Sequence, residues 1–212
     1  MVDLSALWAG PLCSHLLQRC GFQVIKVESV QRPDGAREGS PKHFHALHEG
    51  KECRRFDFRH PTDLRRLREL LASADVVIEG SRPRALRALA LDRESVVTAA
   101  GSVAAASQLW LSFTAYGRGS PFGDWVGFGD DVAIAAGAFD PTQDDAPAFI
   151  ADAIADPLTG LLVAWLTLEL RRRRMSGLMD FSLFRAANFC VKWVQDSGGA
   201  LASPIRQPTL RC

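Results

Sequence analysis

Short apolar strands alternate with helix-like runs through the first 115 residues, and glycine or proline marks most of the junctions. The strand-like segments are compact and hydrophobic rather than alternating, as expected of strands covered on both faces. Together these features predict an α/β protein: a Rossmann-like open parallel sheet with helices on both faces.

Taken in order, residues 2–4 give a short first strand. Ala9, Gly10 and Pro11 then lead into a helical run to Arg19. Proline suits a helix start, because the N–H it lacks would be unpaired there anyway. Gly21 stops that run, and residues 23–28 read as the second strand. Residues 31–53 hold Pro33, Gly35, Gly39, Pro41 and Gly50 and read as one long loop, of the kind that carries function in compact domains. Thr62 is placed to cap the next helix, with Asp63 in its first turn. Leu64, Leu67, Leu70 and Leu71 recur there at helical spacing. Residues 75–79 form a strand, 83–99 a helix and 109–113 another strand. Glycine and proline break the rhythm over 117–147, where Asp140, Asp144 and Asp145 mark an acidic loop. An apolar helix over 157–173 ends in Arg171 to Arg174, cations suited to its C-terminal dipole. Residues 1–196 read as one domain and 197–212 as an extended or disordered tail.

Composition narrows the function classes. The 212 residues carry 25 Lys+Arg against 24 Asp+Glu, a net charge of +1 that argues against a general nucleic-acid binder. The 47% hydrophobic content excludes the disordered class and supports a sizeable core. No apolar stretch is long enough for a membrane helix, and the first residues lack a basic signal-peptide start. The five scattered cysteines, none in a C-x-x-C pair, fit a reducing compartment. A soluble, cytoplasmic protein is expected.

Three loops could converge at the carboxyl ends of the strands, where open α/β sheets bind ligands. They carry Trp8, then Arg37 with residues 43–51, then Ser81 and Arg82. Arg37, Lys51 and Arg82 would suit a phosphorylated ligand, although any one of them alone is more often a solvated charge. Neither G-x-G-x-x-G nor a P-loop follows the first strand. His43, His45 and His48, with Cys53 nearby, have metal-like spacing; without a second ligand cluster they read as a polar loop, and no metal is expected. Gly127, Gly129, Asp130 and Asp131 admit two readings. Either the aspartates supply a carboxylate nucleophile or base, or they cap a helix over 132–138.

Several segments in the same order resemble family III CoA-transferases (the CaiB/BaiF group), which includes formyl-CoA and carnitine-CoA transferases and the α-methylacyl-CoA racemases. DLSALWAGP at 3–11 resembles the family's D-L-[ST]-x-x-x-A-G-P, and GFQVIKVE at 21–28 its G-A-x-V-I-K-V-E. Pro33 to Arg37 sits like G-D-x-x-R, and LHEGKECRRFDF at 47–58 follows L-N-x-x-K-x-S-x-x-L-D-L. ADVVIEGSRP at 74–83 follows A-D-V-[VL]-I-E-N-F-R-P. Ala115 to Gly117 with Ser120 and Pro121 resembles G-[FY]-G-Q-x-G-P. The helix from Ala155 resembles G-D-x-x-T-G-L, and DFSL at 180–183 resembles V-D-V-S-L.

The resemblance implies the family's large domain over 1–196 without its small domain, and a homodimer. Its ligands would be a CoA thioester and a small carboxylic acid, with no permanently bound cofactor. It places Trp8, Lys26, Arg37, Lys51, Ser81 and Arg82 at the CoA site. It also implies an aspartate that becomes an acyl anhydride and then a CoA thioester, and assigns this to Asp130, with Asp131 as fallback. Aligned without gaps, Gly129 occupies the nucleophile position, so a non-catalytic CoA-binding subunit or a half-enzyme stays open. So does an unrelated nucleotide-binding α/β domain. A racemase is disfavoured, because no histidine follows His60 to complete an acid–base pair.

Overall fold

The computed structural model describes residues 1–119, 121–140 and 148–198. The chain runs β1 (Val2–Asp3), α1 (Ala9–Arg19), β2 (Ile25–Ser29), α2 (Ala36–Gly39), α3 (Pro41–His48), β3 (Glu52–Phe56), α4 (Pro61–Ser73), β4 (Val76–Glu79) and α5 (Pro83–Ala88). It continues through α6 (Arg93–Ala100), α7 (Val103–Ala106), β5 (Leu109–Thr114), α8 (Gly129–Ala135), β6 (Phe139–Asp140), β7 (Ala148–Phe149), α9 (Ala155–Arg172), β8 (Gly177–Ser182) and α10 (Leu183–Asp196).

Six strands form one sheet in the order β3-β2-β1-β4-β5-β8, with every pairing parallel. This is the Rossmann-like α/β arrangement that the alternation predicts. Alternate residues of the central strands feed opposite layers. Ile78, Leu109 and Leu111 pack with Cys13, Leu17 and Val163 of α1 and α9. Val77 and Trp110 pack on the other face with Leu67, Leu71, Leu86 and Val96. A third cluster joins α8 to α10 through Val132, Ala133, Leu183, Ala187 and Val191. Among the described residues no helix is long and apolar enough to cross a membrane.

The chain departs from β1 towards one edge of the sheet and from β4 towards the other. The loops after these two strands therefore flank a topological switch point, the usual ligand crevice of such sheets. They touch: a Cβ at Gly80 would lie 3.6 Å from Ser5 Cβ. Close approach also places α9. A Cβ at Gly160 would come within 2.7 Å of the Ala9 carbonyl, so only glycine lets α9 lie this near α1 and set its first turn beside the β1–α1 loop.

Four local expectations need correction. Residues 31–53 are not one loop. Pro41 starts α3, while Gly35 flanks α2, Gly39 ends it, and Gly50 turns the chain into β3 at φ 78°. The helix expected over 83–99 is two helices, because Leu91 buries itself between them and Asp92 recaps the chain by accepting the Ser95 N–H. His60, not Thr62, precedes α4; Asp63 stands in its first turn as expected and accepts the Asp57 N–H at 2.9 Å. The helix expected over 132–138 is α8, which begins three residues earlier. Ser120, Asp144, Asp145 and residues 199–212 of the expected tail lie outside the described residues.

Candidate active site

The β1–α1 loop rests on buried charges. Asp3 accepts the Ser5 N–H at 2.9 Å and the hydroxyls of Ser5 and Ser14. Lys51 reaches inward to the Pro11 carbonyl at 3.0 Å, Ser14 Oγ at 2.6 Å and Asp3 at 3.6 Å. Lys26 donates to the Ser5 carbonyl and lies 3.3 Å from Asp34. Burial opposes ionisation of Asp3, yet Lys26, Lys51 and the two serine hydroxyls hold its carboxyl below the usual range. Burial pulls Lys51 down to about 8 and, together with Lys51 and Lys26, His48 down to about 4. Two lysines thus balance two carboxylates around a neutral imidazole.

Asp34 clamps this loop from outside the sheet. Its carboxylate accepts the Leu7 N–H at 3.1 and 3.2 Å and the Ala36 N–H at 3.0 Å. Leu7 sits at φ 68°, a conformation that costs a non-glycine residue of order 1–2 kcal/mol and persists only where its surroundings impose it. Ala153, just before α9, is strained too, at φ 42°, and its N–H donates to Asp130 Oδ1 at 2.6 Å.

Both strained residues line one cavity of about 200 Å³, with Trp8, Ala36, His43, Phe128, Gly129 and Asp156. Asp156 is its carboxylate, in the first turn of α9. It accepts the Ala9 N–H at 3.3 Å and a backbone hydrogen bond from Gly129. Among the described residues it has no ion-pair partner within 4.0 Å. Burial pushes its carboxyl up to about 6, and Asp130 and Asp131 add to the rise against the pull of the two backbone N–H groups. A Cβ at Gly129 would stand 2.1 Å from Asp156 Oδ2, so the glycine makes room for this carboxylate. Buried carboxyls with raised pKa in clefts are the groups that function as nucleophiles and bases.

A second cleft of about 480 Å³ lies across α2 and α3, lined by Arg37, Phe44, His45, His48, Glu49, Gly50, Cys53 and Arg55. The Arg37 guanidinium stacks over the Phe44 ring at 4.2 Å and pairs with Glu28 at 2.5 Å. At the carboxyl ends of β4, β5 and β8, Arg118 bonds Glu79 at 2.7 Å and Ser112 Oγ at 2.8 Å, while its N–H donates to Asp180. Burial raises the Glu79 carboxyl.

The model of CoA-transferase family III matches residues 1–197. The chain belongs to CoA-transferase family III. It is 28% identical over 176 residues to a protein named succinate–glutarate CoA-transferase from Agrobacterium fabrum, covering 76% of this chain and 43% of that one. It is also 28% identical over 187 residues to a protein named succinyl-CoA–D-citramalate CoA-transferase from Chloroflexus aurantiacus, covering 84% of this chain and 45% of that one. A CAIB/BAIF family protein from Brucella suis superposes with a TM-score of 0.77 at 26% identity, over 98% of this chain and 59% of that one. A hypothetical protein from Mycobacterium tuberculosis gives 0.79 at 26%, over 92% and 56%. The chain spans less than half the length of these two curated relatives.

Within this family III chain the expected site residues separate. Trp8 lines the cavity, with its ring edge-on to His43 at 4.9 Å. Arg37 borders the larger cleft. Ser81 and exposed Arg82 stand at the switch point. Lys26 and Lys51 do not join them. At 1% and 8% exposure they point into the interior and hold the loop, so their charges are spent on Asp3 and Asp34. Asp130 and Asp131 act at the start of α8: Asp130 takes the Ala153 N–H and Asp131 takes the Phe128 N–H at 2.6 Å. His43, His45, His48 and Cys53 form no metal-binding group among the described residues. Asp156, which the sequence does not single out, is the carboxylate that lines the cavity. It falls on the aspartate of the motif G-D-x-x-T-G-L, which the sequence matches as ADPLTGL.

Proposed function

We propose that the chain carries the covalent relay of a CoA transfer between two carboxylic acids, and that Asp156, rather than Asp130, is the relay. The reading rests on one observation: Asp156 is the carboxylate of the cavity and has no counter-cation among the described residues. Backbone N–H groups of Ala9 and Gly129 hold its oxygens and orient the nucleophile without quenching it.

The chemistry balances without added water or protons. The Asp156 carboxylate attacks the donor thioester carbonyl, the C–S bond breaks, and CoA departs as thiolate, leaving a mixed anhydride. The thiolate then attacks the aspartyl carbonyl and expels the donor acid, leaving an aspartyl–CoA thioester. An acceptor carboxylate reverses the two steps and regenerates Asp156. Splitting one transfer into two acyl exchanges is what a covalent relay contributes.

CoA fits the arrangement because α2 and α3 border both spaces. Ala36 and His43 face the cavity, and Arg37 and Phe44 face the larger cleft. One extended ligand can therefore lay its phosphates by Arg37, with Ser81 and Arg82 as a further anchor, and present its thioester at Asp156. The exposed apolar side chains of α9 and α10, Leu161, Trp165, Phe189 and Trp193, favour association as a homodimer or with a partner subunit.

Calorimetric titration with CoA followed by intact mass after an acyl-CoA tests this. An adduct mapped to Asp156 is expected. An adduct on Asp130 or Asp131 would move the relay, and CoA binding without any adduct would favour the non-catalytic subunit.

A further inference from the structure

The walls of the Asp156 cavity indicate which acids it serves. Leu7, Trp8, Ala36, Phe128 and Ala153 present apolar surface, and Gly129 presents backbone. Among the described residues no lysine or arginine lines the cavity. Nearby cations face elsewhere: Lys26 meets Asp34 and the Ser5 carbonyl, Lys51 meets Asp3, Arg118 meets Glu79, and Arg37 borders the larger cleft. The fixed charges that act on the cavity's own carboxylate include two more carboxylates, Asp130 and Asp131.

We propose that the acyl group exchanged at Asp156 is that of a monocarboxylic acid with an apolar tail, and that dicarboxylic acids are disfavoured. The proposal rests on the relay reading above. The one carboxyl of such an acid is consumed in the reaction at Asp156, and its tail replaces water against Trp8, Leu7 and Phe128. A dicarboxylic acid brings a second negative charge. That charge would lose hydration in a space lined by no lysine or arginine among the described residues, with the Asp130 and Asp131 carboxylates acting on it. His43 is the lining side chain able to carry positive charge, and its ring is turned edge-on to Trp8.

The test compares butyryl-CoA and phenylacetyl-CoA with succinyl-CoA as acyl donors to the intact chain, reading the rate of Asp156 labelling by intact mass. Butyryl and succinyl tails match in length and differ in the second carboxylate. Labelling by butyryl-CoA at least tenfold faster than by succinyl-CoA is expected. His43→Gln should preserve that preference, and Phe128→Arg should shift it towards succinyl-CoA by tenfold or more. Equal or faster labelling by succinyl-CoA would overturn the acid class while leaving Asp156 as the relay. Loss of the preference in His43→Gln would overturn the assignment to apolar walls. No label from any donor, with CoA itself still bound, would sink the relay and this inference together.

Discussion

Asp34 and Asp156 lie on either side of the same loop and receive backbone N–H groups from it, yet they do opposite work. Asp34 takes the Leu7 N–H and meets the Lys26 ammonium, with His48 Nε2 at 3.8 Å. Asp156 takes the Ala9 N–H and meets no cation among the described residues. The first is a compensated charge whose protein partners fix geometry. The second keeps its charge available, and burial raises it to about 6. Within one family motif set, a counter-charge marks Asp34 as a structural acid, while its absence among the described residues is what makes Asp156 the proposed relay; residue type alone does not separate them.

The sharpest break of that contrast is substitution of each acid. Asp156→Asn is expected to lower CoA transfer by at least about 10³-fold while leaving the unfolding midpoint in urea within about 1 kcal/mol, because no ion pair is lost. Asp34→Asn should do the reverse first, costing about 3–5 kcal/mol in the same titration by stranding Lys26. A stable Asp34→Asn protein would show that the clamp is dispensable. Gly129→Ala comes next. Its Cβ would collide with both Asp156 Oδ2 and the Ala153 carbonyl at 2.5 Å, so about 1–3 kcal/mol of stability and most of the labelling rate should go together.

Acidification separates the two regions more gently. Transfer should fall reversibly as pH drops through about 6, the protonation of Asp156. Asp130→Asn, which removes a charge that raises this value, should move the limb to lower pH. Stability follows a different group. His48 is depressed to about 4 in the fold against its ordinary value of 6.5, so between these values only the unfolded chain gains the proton. Stability should therefore decline as pH falls from 6.5 towards 4 and be insensitive to His48 above that window. Urea midpoints in that range for the parent and His48→Gln check this, and an identical decline in both would assign it elsewhere.

The parts legible in the sequence were those whose side chains share one environment. Residues 75–79 and 109–113 read as strands because both faces are buried. β3, with Glu52, Cys53, Arg54 and Arg55 exposed on a sheet edge, carries no apolar signal and reads as loop or tail of one. Lys26 and Lys51 were expected at phosphates because a cation next to a loop looks solvated in sequence, and the carboxylates that draw them inward, Asp3 and Asp34, are distant in the chain. Asp156 followed by proline looks like an ordinary acid of a first helical turn. What distinguishes it is Gly129, twenty-seven positions earlier, whose missing side chain leaves its space.

The exposed face of α9 and α10 also equips the molecule with an optical gauge. Of five tryptophans, Trp110 is sealed in the core, whereas Trp165 and Trp193 are each 65% exposed on that face. A partner resting on α9 or α10 would strip water from an exposed indole, blue-shifting its emission and shielding it from iodide. Assembly can thus be followed in the native chain, by its own light, without attaching a label.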